Sequence, residues 1–295
     1  MEDLLACARQ LLRHAAHIAV LSGAGISAES GVPTFRVAQT GLWARFRPEE
    51  LATEDAFRRH PERVWDWYAE RRASLAAVQP NAGHLALAEF ERRHPGRLTV
   101  ITQNVDGLHQ RAGSQGVLAL HGSLAEDRWL DPCALHRQGA CDVAQAEPGR
   151  PPRCPQCGNP VRPAVIWFGE MLPEDALRQA EQAASRCDVM LVVGTAGAVY
   201  PAAGLAHQAR AVGAQVIIVN PHPSELDELA HLRLAGTAAQ MLPRLLDFQC
   251  SVSRYQALIE ARKRLAARRA SQPMRAALAR GATPPQAFSG FPQGE

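Results

Sequence analysis

Short apolar segments recur along this chain of 295 residues, and stretches with helical patterning lie between several of them. Most of these segments are rich in Val and Ile and apolar on both faces, which is typical of buried parallel strands. Their alternation with helices predicts an open, doubly wound, mostly parallel α/β sheet. The predicted strands lie at residues 17–23, 97–104, 116–122, 164–170, 188–195 and 214–221, and the predicted helices at residues 2–16, 81–94, 173–186 and 201–212.

Two stretches interrupt this alternation and predict a second, smaller domain inserted into the α/β core. Residues 37–80 are rich in arginine and aromatic residues and are predicted to be helical, whereas residues 122–162 contain four cysteines and many prolines. Residues 251–295 are predicted to form a basic helix followed by a disordered tail rich in Pro, Gly and Gln. The core of the protein then spans residues 1–250, with its α/β part formed by residues 1–36, 81–121 and 163–250.

The net charge, the apolar runs and the cysteine content exclude several classes of protein. The formal net charge of +3 is small for this length and does not suggest a nucleic-acid partner or a membrane surface. No apolar run approaches the roughly 20 residues that span a bilayer, and the acidic N-terminus fits neither a secretory signal nor a transit peptide. The seven cysteines are odd in number and partly clustered, which favours a metal site in a reducing compartment. We therefore expect a cytoplasmic protein, whose oligomeric state the sequence does not define.

The first predicted strand runs into the sequence GAGISAESGVPTFR at residues 23–36. Gly23 and Gly25 permit a tight turn and close approach of the backbone to a phosphate, which a following helix N-terminus would favour. Because the third glycine of the dinucleotide fingerprint is missing, an ordinary strand-to-helix turn remains an alternative. Polar stretches also follow other predicted strands, and the ends of parallel strands meet at the edge of the sheet where ligands bind. These stretches are TQNVDGLHQRAG (102–113), HGS (121–123) and GTAGAVYP (194–201).

These motifs, followed in the chain by CPQCG, VIWFGE and VNP, closely resemble those of the sirtuins, the NAD-dependent protein-lysine deacylases. The resemblance covers residues 18 to about 246. It implies a Rossmann-like sheet with a helical insertion and a zinc-ribbon-like insertion. It also implies NAD as cofactor, proteins with acylated lysines as substrates, and nicotinamide and O-acyl-ADP-ribose as products.

The resemblance assigns roles to individual residues. His121 matches the catalytic base that takes a proton from a ribose hydroxyl, and an imidazole pKa near 6.5 suits this role. Phe35 resembles the ring that guards the nicotinamide pocket and excludes water, while Ile26 and Asp106 match the residues that hold the carboxamide. The implied cofactor-binding set is Gly23, Ala24, Gly25, Ile26, Ala28, Phe35, Arg36, Gln103, Asn104, Asp106, Gly194, Thr195, Ala196, Asn220 and Ala238.

The sequence VWDWYAERR at residues 64–72 places Tyr68 and Arg71 three residues apart, on one face of a helix. By pattern alone, this stretch is an ordinary amphipathic helix. The resemblance adds another interpretation, because one sirtuin subgroup has a Tyr-x-x-Arg pair lining the acyl pocket and prefers succinyl and malonyl groups. A guanidinium binds a carboxylate as a fork, and the phenol donates one more hydrogen bond. The segment implied to bind the substrate backbone as an added strand includes Val165, Phe168 and Gly169.

Cys154 and Cys157, in the sequence CPQCG, are typical of one half of a structural zinc site. Sirtuins usually have a second CxxC upstream, which this chain lacks. Cys133 and Cys141 are the candidates for the other half, giving one zinc per chain. Loss of the metal remains an alternative, and the substitute ligands are Asp131 and His136.

Two other functions remain open from the sequence. One is mono-ADP-ribosyl transfer, which some sirtuins perform, and the other is an NAD-binding regulator without turnover. His121 argues against a regulator, because a sensor needs no base. An assay with NAD and acyl-lysine peptides separates these functions by their products.

Overall fold

The computed structural model describes residues 2–33, 50–131 and 141–246. In chain order the strands are β1 (Ile18–Ser22), β2 (Leu98–Thr102), β3 (Val117–Ala119), β4 (Gly122–Trp129), β5 (Val161–Val165), β6 (Val189–Val193), β7 (Gln215–Val219) and β8 (Leu232–Leu234). Six of them form a parallel sheet in the order β3-β2-β1-β6-β7-β8. The order changes direction beside β1, which is where doubly wound sheets bind ligands.

The central strands are buried on both faces because helices cover both. Every residue of β1 and β6 is buried, and alternate side chains point to opposite faces. Ile18 and Val20 belong to one hydrophobic cluster, whereas Ala19 and Leu21 belong to another. The predicted doubly wound α/β sheet is therefore confirmed.

The four predicted helices are present, with ends within three residues of the predicted ones. The described helices are α1 (Glu2–His14), α2 (Glu54–Arg59), α3 (Pro61–Ala77), α4 (Ala82–Arg93), α5 (Leu108–Ala112), α6 (Glu174–Arg186), α7 (Gly204–Ala211) and α8 (Ala238–Leu246). Helices α1, α4 and α8 cover one face of the sheet, and α6 and α7 cover the other. Within the described ranges, no helix is both long and apolar enough to span a membrane.

The predicted strand at residues 164–170 is wrong in position and partner. The observed strand is β5, which pairs antiparallel with β4 in a separate sheet of two strands. After β5, Trp167 is buried but Phe168 is about half exposed, so this segment is not buried on both faces. The predicted start of the third α/β part of the core, at residue 163, falls inside β5.

A third hydrophobic cluster forms the core of the smaller unit. It joins α2 and α3 to β4 and β5, and its largest members are the rings of Phe57, Trp67, Tyr68 and Trp167. The helix content expected for residues 37–80 is confirmed for the part that is described. Because α3 packs on the β4–β5 pair, the two insertions of the chain meet in one unit.

Candidate active site at the carboxyl edge of the sheet

The turn after β1 packs directly against the loop after β6. The Gly25 amide donates to the carbonyl oxygen of Gly194 at 2.7 Å, and a Cβ atom on Gly25 would lie 2.6 Å from that oxygen. A Cβ atom on Gly23 would lie 2.8 Å from the Cβ atom of Thr195. The sequence suggested that these glycines admit a phosphate. The structure gives them a further reason, since two loops of the protein itself must touch here.

The polar side chains after β2 face this turn. The Gln103 side-chain amide donates to the Thr195 hydroxyl at 3.1 Å. The Asn104 side-chain amide donates to the Gly23 carbonyl at 3.1 Å and to the Ser27 hydroxyl at 3.2 Å. The polar ends of different strands therefore converge on one edge, as the sequence predicts.

Asp106 is held at the same edge by two hydrogen bonds. Its carboxylate accepts from the Ser27 hydroxyl at 2.7 Å and from the Leu108 amide at 2.9 Å. Burial raises the pKa of Asp106, while these two bonds and the charges of Arg111 and Arg71 oppose the rise. Sequence reasoning missed Ser27, because a serine in a turn gives no signal until its partners are known.

His121 lies between β3 and β4, with its ring turned toward the end of β2. Its Nδ1 atom is 2.9 Å from the carbonyl oxygen of Gln103. A carbonyl only accepts, so Nδ1 carries the hydrogen and Nε2 is the basic nitrogen of the neutral ring. Burial lowers the pKa of His121, and the bond to Gln103 offsets part of this effect. The imidazole is therefore neutral near pH 7 and can accept a proton at Nε2.

Residues after β6 and β7 form the other half of this edge. The Asn220 side-chain amide donates to the Thr195 carbonyl at 2.8 Å, and the Ala196 carbonyl accepts from the Glu225 amide at 2.9 Å. The buried hydroxyl of Thr237 has no hydrogen-bond partner among the described residues. Thr237 directly precedes α8 and its first residue, Ala238, which the resemblance assigns to the adenosine.

The donor set at this edge fits NAD. Amide and hydroxyl side chains from the ends of β2, β6 and β7 surround a glycine-lined turn after β1, and such groups bind ribose hydroxyls and phosphates. The orphaned Thr237 hydroxyl supports the fit, because an unpaired buried hydroxyl is costly unless a ligand satisfies it. The turn continues as a 3-10 helix over Ala24–Ser30, which includes the buried Ile26 and also Ala28.

Tyr68 and Arg71 lie on α3, and the charge of Arg71 interacts with that of Asp106 at the same edge. The Tyr68 side chain is buried, and its hydroxyl accepts a hydrogen bond from the indole nitrogen of Trp167 at 3.0 Å. The Arg71 guanidinium lies 4.6 Å from the ring centre of Trp67. Burial lowers the pKa of Arg71, whereas the charges of Tyr68 and Asp106 raise it. Arg71 is therefore electrostatically coupled to the carboxylate at the predicted nicotinamide position.

The predicted substrate segment begins beside His121. The Ile166 amide donates to the His121 carbonyl at 2.9 Å, and the Phe168 amide donates to the Ala52 carbonyl at 2.9 Å. Gly169 adopts a φ of +89°, a region that favours glycine. Val165 is buried in the core of the smaller unit. The segment is thus fixed from both sides, next to the imidazole.

Three cysteines meet beside the β4–β5 pair. The sulfur atoms of Cys141, Cys154 and Cys157 all lie within 4.8 Å of one another. The sulfurs of Cys141 and Cys154 are 3.4 Å apart, close to the separation of about 3.8 Å that tetrahedral ligands at 2.3 Å from zinc would have. The cluster fits a structural zinc site. The Asp131 carboxylate instead pairs with Arg58, which disfavours Asp131 as a ligand.

Some predicted residues lie outside the described part of the chain. Residues 34–49 include Phe35 and Arg36, residues 132–140 include Cys133 and His136, and residues 247–295 include the predicted C-terminal helix and tail at residues 251–295. The fourth ligand of the cysteine cluster therefore stays a prediction, as do the guard ring and the basic C-terminal helix.

Comparison with known proteins identifies the family. The Sir2 family matches residues 23–201. The NAD-dependent protein deacylase of Ralstonia nicotianae is 59% identical over 239 residues, which are 81% of this chain and 94% of that protein. NAD-dependent protein deacylase 1 of Pseudomonas aeruginosa is 49% identical over 240 residues, covering 80% of this chain and 96% of that one.

Solved structures agree with this assignment. The crystal structure of a Sir2 homolog–NAD complex superposes with a TM-score of 0.73 at 40% identity, covering 88% of this chain and 95% of that one. A complex of Sir2 with a p53 peptide and NAD+ gives a TM-score of 0.68 at 33% identity, covering 80% and 94%. These matches cover most of the chain, and the chain belongs to the Sir2 (sirtuin) family.

Proposed function

We propose that this NAD-dependent protein deacylase of the Sir2 family removes acidic acyl groups, such as succinyl and malonyl, from lysine in preference to acetyl. The observation that carries the proposal is the place of Arg71. Its guanidinium is partly buried and couples electrostatically to Tyr68 and Asp106. A cation that lies out of bulk water beside the reaction site fits a substrate with its own negative charge.

The acyl pocket has to satisfy two ends of the acyl group. The carbonyl end must reach the ribose near His121, and the distal carboxylate of a succinyl group then extends toward α3. Arg71 binds that carboxylate as a fork, and the Tyr68 hydroxyl donates a further bond. Hydrogen bonds to charged groups contribute about 1.5–3 kcal/mol each. An acetyl group has no carboxylate and gains nothing from the pair.

The residues of the sheet edge bind and orient NAD. Bound NAD would supply an electrophilic ribose carbon for the acyl oxygen, with nicotinamide as the leaving group. Asn104 and Ser27 fix the turn against Asp106, and the neutral Nε2 of His121 takes the proton of a ribose hydroxyl. The described residues that we assign to NAD are Gly23, Ala24, Gly25, Ile26, Ala28, Gln103, Asn104, Asp106, Gly194, Thr195, Ala196, Asn220 and Ala238.

The protein substrate binds as an extended peptide along Val165, Phe168 and Gly169. The p53 peptide bound to a relative supports a peptide substrate for this fold. We place the reaction in the cytoplasm, in line with the described cysteines, which are free thiols and three of which gather as candidate metal ligands. We expect no nucleic-acid partner, because the formal net charge of the chain is only +3.

Arg71→Met tests the proposal with succinyl-, malonyl- and acetyl-lysine forms of one peptide. Arg71→Met removes both bonds of the fork, and the loss of even one charged hydrogen bond predicts a fall in kcat/KM of at least about tenfold for the acidic acyl groups, with little change for acetyl. Arg72→Met is the matched control, because Arg72 lies on the same helix but pairs with Asp127 on β4. It should leave the succinyl-to-acetyl ratio unchanged.

Two results would contradict the acyl preference. Wild-type protein that removes acetyl as well as succinyl would make Tyr68 and Arg71 structural residues. An Arg71→Met variant that slows both reactions equally would lead to the same conclusion. A mass gain on an acceptor protein, with no deacylated peptide, would instead indicate ADP-ribosyl transfer.

A further inference from the structure

A buried ion pair lies directly behind the substrate segment. The Arg162 side chain is only 1% exposed, and its guanidinium pairs with the carboxylate of Glu170. The same guanidinium donates to the Val165 carbonyl at 2.8 Å. Breaking a buried ion pair by removing one partner is strongly destabilising, whereas the intact pair holds a defined geometry. The Glu170 carboxylate neutralises Arg162, so Arg162 is not a second cation for a charged acyl group.

The Glu170 carboxylate also closes a turn around the substrate residues. It accepts from the Trp167 amide at 2.7 Å and from Arg128 at 3.1 Å, and the Glu170 amide donates to the Trp167 carbonyl at 3.1 Å. Phe168 and Gly169 lie within this turn. Arg162 and Glu170 therefore fix the two ends of the segment that carries the peptide.

The ion pair also fixes the indole of Trp167. The Arg162 guanidinium carbon lies 3.3 Å from the centre of that ring, and the Phe57 ring centre is 5.2 Å away. The indole N–H points to the Tyr68 hydroxyl at 3.0 Å. An indole nitrogen only donates, so the Tyr68 oxygen must accept. The phenolic hydrogen of Tyr68 is consequently directed to a different acceptor.

We propose that Arg162 and Glu170 are positioning residues for acyl selection, which act through Trp167 to aim the hydroxyl hydrogen of Tyr68 at the carboxylate of an acidic acyl group. The inference rests on the proposed function, because it needs Tyr68 to contact the acyl group. Acyl selectivity then depends on Arg162, Trp167 and Glu170, which we expect to contact neither NAD nor the acyl group. They lie 94, 99 and 102 residues beyond Tyr68 in the chain.

Trp167→Phe is the sharpest test, since it removes the indole N–H and keeps an aromatic ring against Phe57 and Arg162. We expect the succinyl-to-acetyl ratio of kcat/KM to fall about threefold to tenfold, the effect of one neutral hydrogen bond, mainly through KM for the succinyl peptide. Trp65→Phe is the matched control on α3 and should leave the ratio unchanged. Glu170→Gln should lower the ratio in the same direction, while the exposed Glu174→Gln should not.

A double-mutant cycle separates positioning from general support of the fold. In a Tyr68→Phe background, Trp167→Phe should change the ratio by less than about twofold, because the hydroxyl that it positions is gone. An equal loss in both backgrounds would overturn the inference, as would equal slowing of the succinyl and acetyl reactions. A wild-type protein without succinyl preference would refute the proposed function before any variant is made. A wild-type preference that survives Trp167→Phe would refute the positioning role alone.

Discussion

Gly25→Ala tests whether the turn after β1 needs glycine for the packing of the protein itself or only for a bound phosphate. A Cβ atom at this position would lie 2.6 Å from the Gly194 carbonyl oxygen and 2.7 Å from its Cα atom. Ordinary contact begins at 3.4 Å, so the overlap is 3.4 minus 2.6, or 0.8 Å, against backbone atoms that cannot rotate away. Overpacking of this kind costs about 1–3 kcal/mol.

The assay is thermal unfolding of purified protein in the absence of NAD. In a chain of this size each kcal/mol shifts Tm by about 2–4 °C, so we expect a fall of about 2–12 °C. Gly204→Ala is the control, because its Cβ atom would meet only the Tyr200 ring, at 3.9 Å, and Tm should stay the same or rise slightly. If Gly25→Ala keeps the wild-type Tm without NAD and only weakens NAD binding, the loop-packing argument is refuted.

Further predictions concern the base and the metal. His121→Tyr should lower kcat by about 10²–10⁴-fold with near-native Tm and NAD binding, and a variant of wild-type speed would remove His121 from its role. Because burial lowers the pKa of His121 below its ordinary 6.5 and the base acts unprotonated, kcat/KM should hold down to below pH 6.5 and fall on further acidification. An acid limb that begins above pH 7 would contradict this. Metal analysis should find close to one zinc per chain. Cys154→Ser should lower zinc content and Tm, whereas the exposed Cys7→Ser should change neither; full zinc retention by Cys154→Ser would contradict the site.

The parallel sheet was predictable because its central strands are apolar almost throughout. Strands such as β1 and β6 have no solvent-facing side, so their sequences are short apolar runs, which predict a buried strand without knowledge of the rest of the fold. β5 carries no such signal. Its Pro163 lies in an antiparallel pair, and after β5 the buried Trp167 is followed by the half-exposed Phe168, which suits a position at the side of the fold. An apolar segment near the site was therefore placed in the wrong sheet.

The polar edge of the sheet that we assign to NAD was predictable from short motifs, whereas the contacts that hold the neighbouring side chains in place were not. Gln103 and Asn104 follow a strand, and their place at the sheet edge comes from topology alone. The contact between Tyr68 and Trp167 joins residues 99 apart, and no periodicity in the sequence relates them. The cysteine cluster could be predicted only in part. Cys154 and Cys157 have the spacing of zinc ligands, whereas Cys141 is brought next to them by the fold of the loop.

His121 contacts both the sheet edge that we assign to NAD and the segment that we assign to the peptide, and it uses different atoms for each. Its ring binds the Gln103 carbonyl at the end of β2, whereas its own carbonyl accepts the Ile166 amide at the start of the substrate segment. The second bond uses only the backbone, so a change of side chain at this position leaves it intact. We therefore expect the roles of His121 in catalysis and in peptide binding to be separable. If His121→Tyr loses catalysis and still binds the acyl peptide, the imidazole is a base, and if it loses both, the imidazole also supports the segment.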